Sequence, residues 1–203
     1  MKIFLIRHAE TEFNKQNIVQ GCNIDAPLTE EGITESQKLG GYLKQFSFDQ
    51  IFTSKLQRTV KTAEISLNIK IPEENQIEFL NERSYGKFEG GTKEATMEIF
   101  TTQSEEFKKL TREQQLHYTF HHEIESDYAF GKRTHKFFEL ISKENYKQIV
   151  VFTHGGTIRN ILFYYELYST DVLFVGKIPN CSIFPLEFIN NKLKTINSLK
   201  LKL

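Results

Sequence analysis

Arg7-His8, the stretch from Ser54 to Arg58, and His154-Gly155-Gly156 are the parts of this chain whose residue types could together do chemistry. Two arginines and two histidines gathered in one place would make a dense cationic pocket, and guanidinium forks match the oxygens of a phosphate. A histidine attacks only through an unprotonated ring nitrogen, and neighbouring guanidinium charges depress its pKa and keep it neutral near pH 7. In a chain of zero net charge such a pocket needs an anion to justify it, a phosphate in particular. Gly155-Gly156 leaves the backbone open for N–H groups to approach an anion, although a Gly-Gly pair alone is a weak signal.

Each stretch follows a short apolar run: KIFLI at 2–6, QIFTS at 50–54 and QIVVFT at 148–153. These runs predict buried parallel strands. Open parallel sheets bind ligands beyond the carboxyl ends of their strands, so convergence at three strand ends carries more weight than any one dipeptide. Thr29 opens a helical pattern with Ile33, Leu39 and Leu43 on one side, running to about Phe46. Leu56, Val60, Ala63 and Leu67 predict a second helix ahead of Pro72, and Thr157, Ile158, Ile161, Leu162 and Tyr165 a third. The three Gly-Gly pairs, 40/41, 90/91 and 155/156, are expected at helix or loop boundaries. At the end, 181–188 and 192–199 flank Asn190-Asn191 and predict a hairpin whose first strand, carrying Pro185, lies at a sheet edge. Residues 92–125, polar and without a strand signal, predict a helical lid or insertion. The expected fold class is therefore α/β, a doubly wound, mostly parallel sheet sandwiched by helices, with a helical lid and a C-terminal hairpin.

The 203-residue length predicts a single domain over 1–203, with 92–125 inserted in it. Hydrophobic residues make up 39% with no long apolar run, which argues against a membrane-spanning helix, and the short apolar start is no signal-peptide core. A cytoplasmic location is expected. Cys22 and Cys181 are too few for a disulfide framework and are expected as free thiols. Basic and acidic residues balance at 26 each, so no overall field draws nucleic acid or membrane, and any anion must be held by local groups.

RHAETEFN at 7–14, together with His154-Gly155-Gly156, resembles the histidine phosphatase superfamily, also called phosphoglycerate mutase-like. The likeness continues through PLTEEG at 27–32, SKLQRTVKTAE at 54–64, LNERSYGKFEG at 80–90 and NCS at 180–182, sparing 92–125. It implies that His8 is the nucleophile, that Arg7, Arg58 and His154 form the phosphate pocket, and that Asn14 is a further phosphate contact. Glu82 is implied as the proton donor that afterwards activates water. Arg83 and Tyr85, in a form especially like cofactor-dependent phosphoglycerate mutases, are implied substrate contacts, as are Gln20, Gly21 and Gly155. Ala9 stands where glycine is commoner in the family, and a small residue still lets the backbone approach phosphate.

A hydrolase, a mutase and a silent phosphate binder share this outline. Retention of His8, Arg58, Glu82 and His154 argues against the silent binder. LNERSYG favours a mutase, but the arginine- and proline-rich stretch of dedicated mutases is missing after it. Glu125-Ser126 and Arg133 resemble the shorter phosphatase-type members, so the expected activity is hydrolysis of a small phosphorylated metabolite. No cofactor and no metal are expected. The rival metal reading rests on His117 and His121 as an i,i+4 pair with His122 and Glu125 nearby, and it lacks the spacing of a known hydrolase motif. Neither the substrate nor the oligomeric state is written in these residues.

Overall fold

In a computed structural model of the chain, which describes residues 1–167, 178–190 and 192–196, the three apolar runs form β1 (Lys2–Arg7), β2 (Gln50–Thr53) and β3 (Gln148–Thr153). The last two strands are β4 (Ile183–Ile189) and β5 (Lys192–Thr195). Among the described residues they make one sheet in the order β2-β3-β1-β4-β5. β3 pairs in parallel with both β1 and β2, and β4 pairs antiparallel with both β1 and β5. The sheet is thus mixed, parallel in the half where the three chemical stretches leave it.

Side chains alternate across this sheet as the two-residue strand period requires. Ile3, Leu5, Ile149 and Val151 face Phe137, Phe138, Ile158 and Ile161, from α7 (Asp127–Ile141) and α8 (Gly155–Tyr164). Phe4, Ile6, Val150 and Phe152 face Leu39, Leu43, Val60 and Ala63, from α2 (Glu30–Leu43) and α3 (Gln57–Leu67). Helices therefore cover both faces. α1 (Glu12–Lys15) is a single turn, held by a capping box between Thr11 and Asn14.

Three expectations change. Ile33 is exposed, because α2 buries the stripe Gly32, Ser36, Leu39, Gly40 and Leu43 instead. Gly40 sits inside that helix rather than at its boundary, because a Cβ there would meet the Ser66 carbonyl oxygen at 2.1 Å. α2 and α3 pack too closely for any side chain at that point. Finally, β4 is an internal strand, since β5 lies outside it. Phe188 N donates to Met1 O, so alternate residues of β4 bond β1, while Pro185 presents its carbonyl to Ile196 N on the other side. The proline's missing N–H thus falls away from β1, just beyond the β4–β5 pairing that begins at Leu186. The hairpin forms with Asn190 at a φ of 49°, and the part expected at 197–199 lies outside the described residues.

Residues 92–125 hold α4 (Lys93–Thr102), α5 (Ser104–Lys109) and α6 (Arg112–His117). Phe107 and Phe120 pack with Phe163 of α8, with Ile99, Phe100, Leu116 and Tyr118 around them. With Phe163 the polar segment makes a small aromatic core, separate from the two on either face of the sheet.

Candidate active site

β1 ends in Arg7 and delivers His8 to the sheet's carboxyl edge, where His8 N bonds Thr153 O at 2.9 Å. The imidazole is buried, and its Nδ1–H donates to Ala9 O at 2.7 Å. That bond fixes the tautomer and leaves Nε2 without a proton. Burial, then the charges of Arg58 and Arg7, hold the His8 pKa well below the usual histidine range. Ala9 N is fixed in turn on Thr62 Oγ1 at 3.0 Å, and Asn180 Nδ2 holds the His8 carbonyl at 2.8 Å.

Arg58 enters from the first turn of α3, where four of its five N–H groups are already bonded. Nε donates to His154 Nδ1 at 3.2 Å, Nη1 to Ile24 O at 3.1 Å and to Asp25 Oδ1 at 2.9 Å, and Nη2 to Gly21 O at 2.6 Å. One N–H is left for a ligand. Arg7 donates from Nη1 to Ile178 O, while its buried Nε has no protein partner. Burial lowers the Arg7 pKa to about 10, against the raising effect of Glu82. Gly155 gives the side chain room, since a Cβ there would sit a tight 3.3 Å from Arg7 Nε.

Arg7, His8 and Arg58 line a cavity of about 440 Å³ together with Asn14, Gln20, Gly21, Glu82, Tyr85 and Gly155. Nine of the eleven residues singled out from sequence thus share one space. Asn14 Oδ1 accepts from Thr11 N at 3.4 Å and from Asn180 Nδ2 at 3.3 Å, so its amide nitrogen is the group it can offer an anion. Gln20 Nε2 donates to Thr11 Oγ1 at 2.8 Å, and its buried Oε1 has no partner. Tyr85 is pushed up to about 12, chiefly by burial and then by the charge of Glu82, and so stays a protonated phenol.

Glu82 is held at the head of α8: Oε2 accepts from Gly156 N at 2.9 Å and Oε1 from Arg83 N at 2.8 Å. Gly156 leaves room for this carboxylate, since a Cβ would come within 2.3 Å of Glu82 Oε1 and push it aside. Arg133 of α7 secures the same loop by donating to Phe79 O, Asn81 O and Glu82 O at 2.8–2.9 Å. It is itself gripped by both oxygens of Glu125, at 2.7 and 3.0 Å. The Glu125 and Arg133 pair noted in the sequence therefore anchors the Glu82 loop.

Two of the eleven residues stand elsewhere. His154 is fully buried and does not line the cavity. Its Nδ1 accepts from Arg58 and its Nε2–H donates to Ser54 Oγ at 2.8 Å, which bonds Thr59 Oγ1 at 2.7 Å. His154 thus sits behind Arg58, its ring 5.3 Å from that of His8. Burial and then Arg58 hold its pKa well below the usual range, consistent with a neutral acceptor. Arg83 points away, paired with Asp127 and donating to Glu125 O at 3.1 Å. It lines a smaller neighbouring cavity with Phe100 and Phe120.

The histidines of the rival metal reading do not converge. α6 ends at His117, so His121 lies off its helix; His117 packs on Tyr128 at 4.2 Å, and His121 on Phe88 at 4.8 Å. Among the described residues no group of three or more His, Cys, Asp or Glu is arranged to hold an ion.

Sequence reasoning missed Lys93, Met97 and Arg159, which also line the large cavity. Arg159 had a signal: it lies one helical turn after Gly155 and so on the same face of α8. Lys93 and Met97 come from α4 and had none.

A family model described as the histidine phosphatase superfamily (branch 1) matches residues 3–200. The 2,3-bisphosphoglycerate-dependent phosphoglycerate mutase of Chlamydia pneumoniae is 29% identical, over 95% of this chain and 96% of its own. Fructose-2,6-bisphosphatase TIGAR B of Danio rerio is 39% identical over 44% of this chain and 37% of its own. Among solved structures, a phosphoserine phosphatase mutant of Entamoeba histolytica in complex with phosphoserine superposes with a TM-score of 0.74 at 27% identity, covering 95% of this chain and 93% of that one. A Bacillus anthracis phosphoglycerate mutase shares the fold, with a TM-score of 0.77 at 21% identity over 97% of this chain and 91% of its own.

Proposed function

The chain belongs to the histidine phosphatase superfamily, and we propose that within it the protein hydrolyses a small phosphomonoester through a phosphohistidine on His8. The observation that carries this reading is the His8 ring, neutral and locked by its Nδ1–H on Ala9 O, in a cavity it shares with the guanidinium groups of Arg7, Arg58 and Arg159 and the carboxyl group of Glu82.

The phosphoryl group enters between Arg7 and Arg58, with the Arg7 guanidinium, the remaining Arg58 N–H and the Asn14 amide donating to its oxygens. His8 Nε2 attacks phosphorus as the ester P–O bond breaks. Charge on the equatorial oxygens is stabilised by guanidinium groups already in place. Glu82 gives its proton to the departing alkoxide. Its carboxylate then takes a proton from water, whose oxygen attacks the phosphohistidine, releasing phosphate and restoring the neutral ring. His154 acts through Arg58, whose Nε it holds.

The test is formation of acid-labile phosphoenzyme from labelled substrate. His8→Ala should abolish it and slow turnover on the order of 10⁵-fold with the fold kept. Normal turnover by that variant would sink the mechanism.

The Chlamydia pneumoniae relative, alike over nearly its full length, supports mutase-type transfer as a second reading. A panel of phosphorylated metabolites, read by free phosphate with and without bisphosphoglycerate, separates the two. Exchange without phosphate release would favour the mutase.

A further inference from the structure

Glu89 closes the 3₁₀ turn Gly86–Phe88 and has no role in the chemistry described above, yet its carboxylate collects donors from two segments. Oε1 accepts from Cys22 N at 3.2 Å, Asn23 Nδ2 at 3.1 Å and Tyr85 N at 3.0 Å. Oε2 accepts from Asn23 N at 2.9 Å. Gly21 makes the approach possible: its φ is +59°, and a Cβ there would fall 2.1 Å from Oε1.

The segment so held is the one that orients Arg58. Gly21 O, Ile24 O and Asp25 Oδ1 take three of the guanidinium's N–H groups, all within four residues of the Glu89 bonds. Glu82, by contrast, is fixed independently of Glu89, through Gly156 N, Arg83 N and Arg133.

We propose that Glu89 is a positioning residue, a carboxylate receptor that sets loop 21–25 and through it aims Arg58 at the phosphoryl group. The proposal rests on the phosphatase reading above. Backbone pairing of Val19 with Gly90 and Gly91, and Lys93 N to Asn17 O at 2.8 Å, holds the two segments together without Glu89, so its loss loosens the loop rather than the fold. Glutamine cannot substitute. Both carboxylate oxygens face donors, so either placement of the amide turns an NH₂ group toward an N–H.

The experiment compares Glu89→Gln with wild type on nitrophenyl phosphate, on an alkyl phosphate and for vanadate inhibition. We expect KM and the vanadate inhibition constant to rise about tenfold, while the ratio of nitrophenyl to alkyl turnover stays at its wild-type value, because misaimed phosphate clamping weakens binding and leaves proton delivery alone. Unchanged KM and vanadate inhibition in Glu89→Gln would overturn the proposal. A shift in the leaving-group ratio would do so too, by placing Glu89 on the proton-delivery side.

Should Glu89→Gln not fold, Asn23→Ala removes one exposed donor to the same carboxylate. It should raise both constants roughly two- to threefold, and no change would be equally fatal. If the wild-type protein hydrolyses no phosphomonoester, the phosphatase reading falls by itself. Calorimetric titration of inorganic phosphate into wild type and Glu89→Gln then still reads the aim of Arg58, with equal affinities overturning the proposal.

Discussion

On the strand-end side of the cavity, Arg7, His8 and Arg58 are each held by backbone carbonyls or buried side chains that belong to the sheet and its first loops. The other wall is supplied by Lys93, Thr96 and Met97 of α4, a helix that belongs to a segment whose Phe107 and Phe120 make a small aromatic core with Phe163. The first side is tied to the buried sheet, Arg7 and His8 at the end of β1 and Arg58 in the first turn of the helix that follows β2. The second can be remodelled without touching the sheet. Relatives named as phosphoglycerate mutase, fructose-2,6-bisphosphatase and phosphoserine phosphatase differ in the substrate they are named for, and a division of this kind would let the surroundings of the leaving group change while the strand ends stay as they are.

Glu82 stands between the two sides, and altering it produces the largest effect short of removing the nucleophile. Glu82→Gln should slow an alkyl phosphate roughly 10²- to 10³-fold while slowing nitrophenyl phosphate far less, because nitrophenolate departs without a proton. Equal slowing of both would argue that Glu82 binds the phosphate end rather than serving the leaving group. Gly156→Ala should give the same signature in milder form, since the added methyl group displaces the Glu82 carboxylate.

Phe107→Ala tests whether the walls are energetically separate. Truncating this fully buried ring should cost about 3 kcal/mol. The loss should appear as faster amide hydrogen exchange across α4, α5 and α6, with the strands of the sheet still protected. Exchange rising equally in β1 and β3 would mean that the insertion and the sheet open as one unit.

The strand-end side was the legible one. Buried parallel strands write themselves as unbroken apolar runs, so the residues after KIFLI, QIFTS and QIVVFT stand out in the sequence itself. Facing direction was not legible. Arg83 adjoins Glu82 in sequence, yet it turns to Asp127, a partner 44 residues away that no local pattern announces. His154 sits at a strand end as expected, but only the Ser54 and Arg58 bonds show that it backs the guanidinium instead of lining the cavity. Ile33 misled because α2 buries glycine and serine where close helix packing leaves no room for a branched side chain. Lys93 and Met97 were invisible, since a polar insertion carries no periodicity that points toward a distant pocket.

The buried histidines add a pH signature confined to the strand-end side. His8 and His154 have folded-state pKa values below their unfolded ones. As pH falls through about 6.5 the unfolded chain takes up protons that the folded protein refuses, so stability present above that range is lost below it, at up to about 1.4 kcal/mol per pH unit for each histidine. Unfolding free energies from urea titration should fall more between pH 7.5 and 5.5 for wild type than for His8→Ala, by on the order of 1 kcal/mol. Identical slopes would show that His8 is not held neutral by the fold.

Met97→Ala carries the smallest expected change and separates the two walls most cleanly. Met97 is 42% exposed, and the part of it that lines the cavity touches none of the phosphate-end residues by any hydrogen bond. Truncation should cost less than about 0.5 kcal/mol of stability, as surface substitutions generally do. Vanadate inhibition, which reads only the phosphate end, should stay at its wild-type value. KM for phosphomonoesters with bulky alcohols should move two- to threefold, since a thioether against an apolar leaving group contributes about that much. If vanadate inhibition moved with KM, α4 would be transmitting to Arg7 and Arg58, and the two sides of the cavity would be one device rather than two.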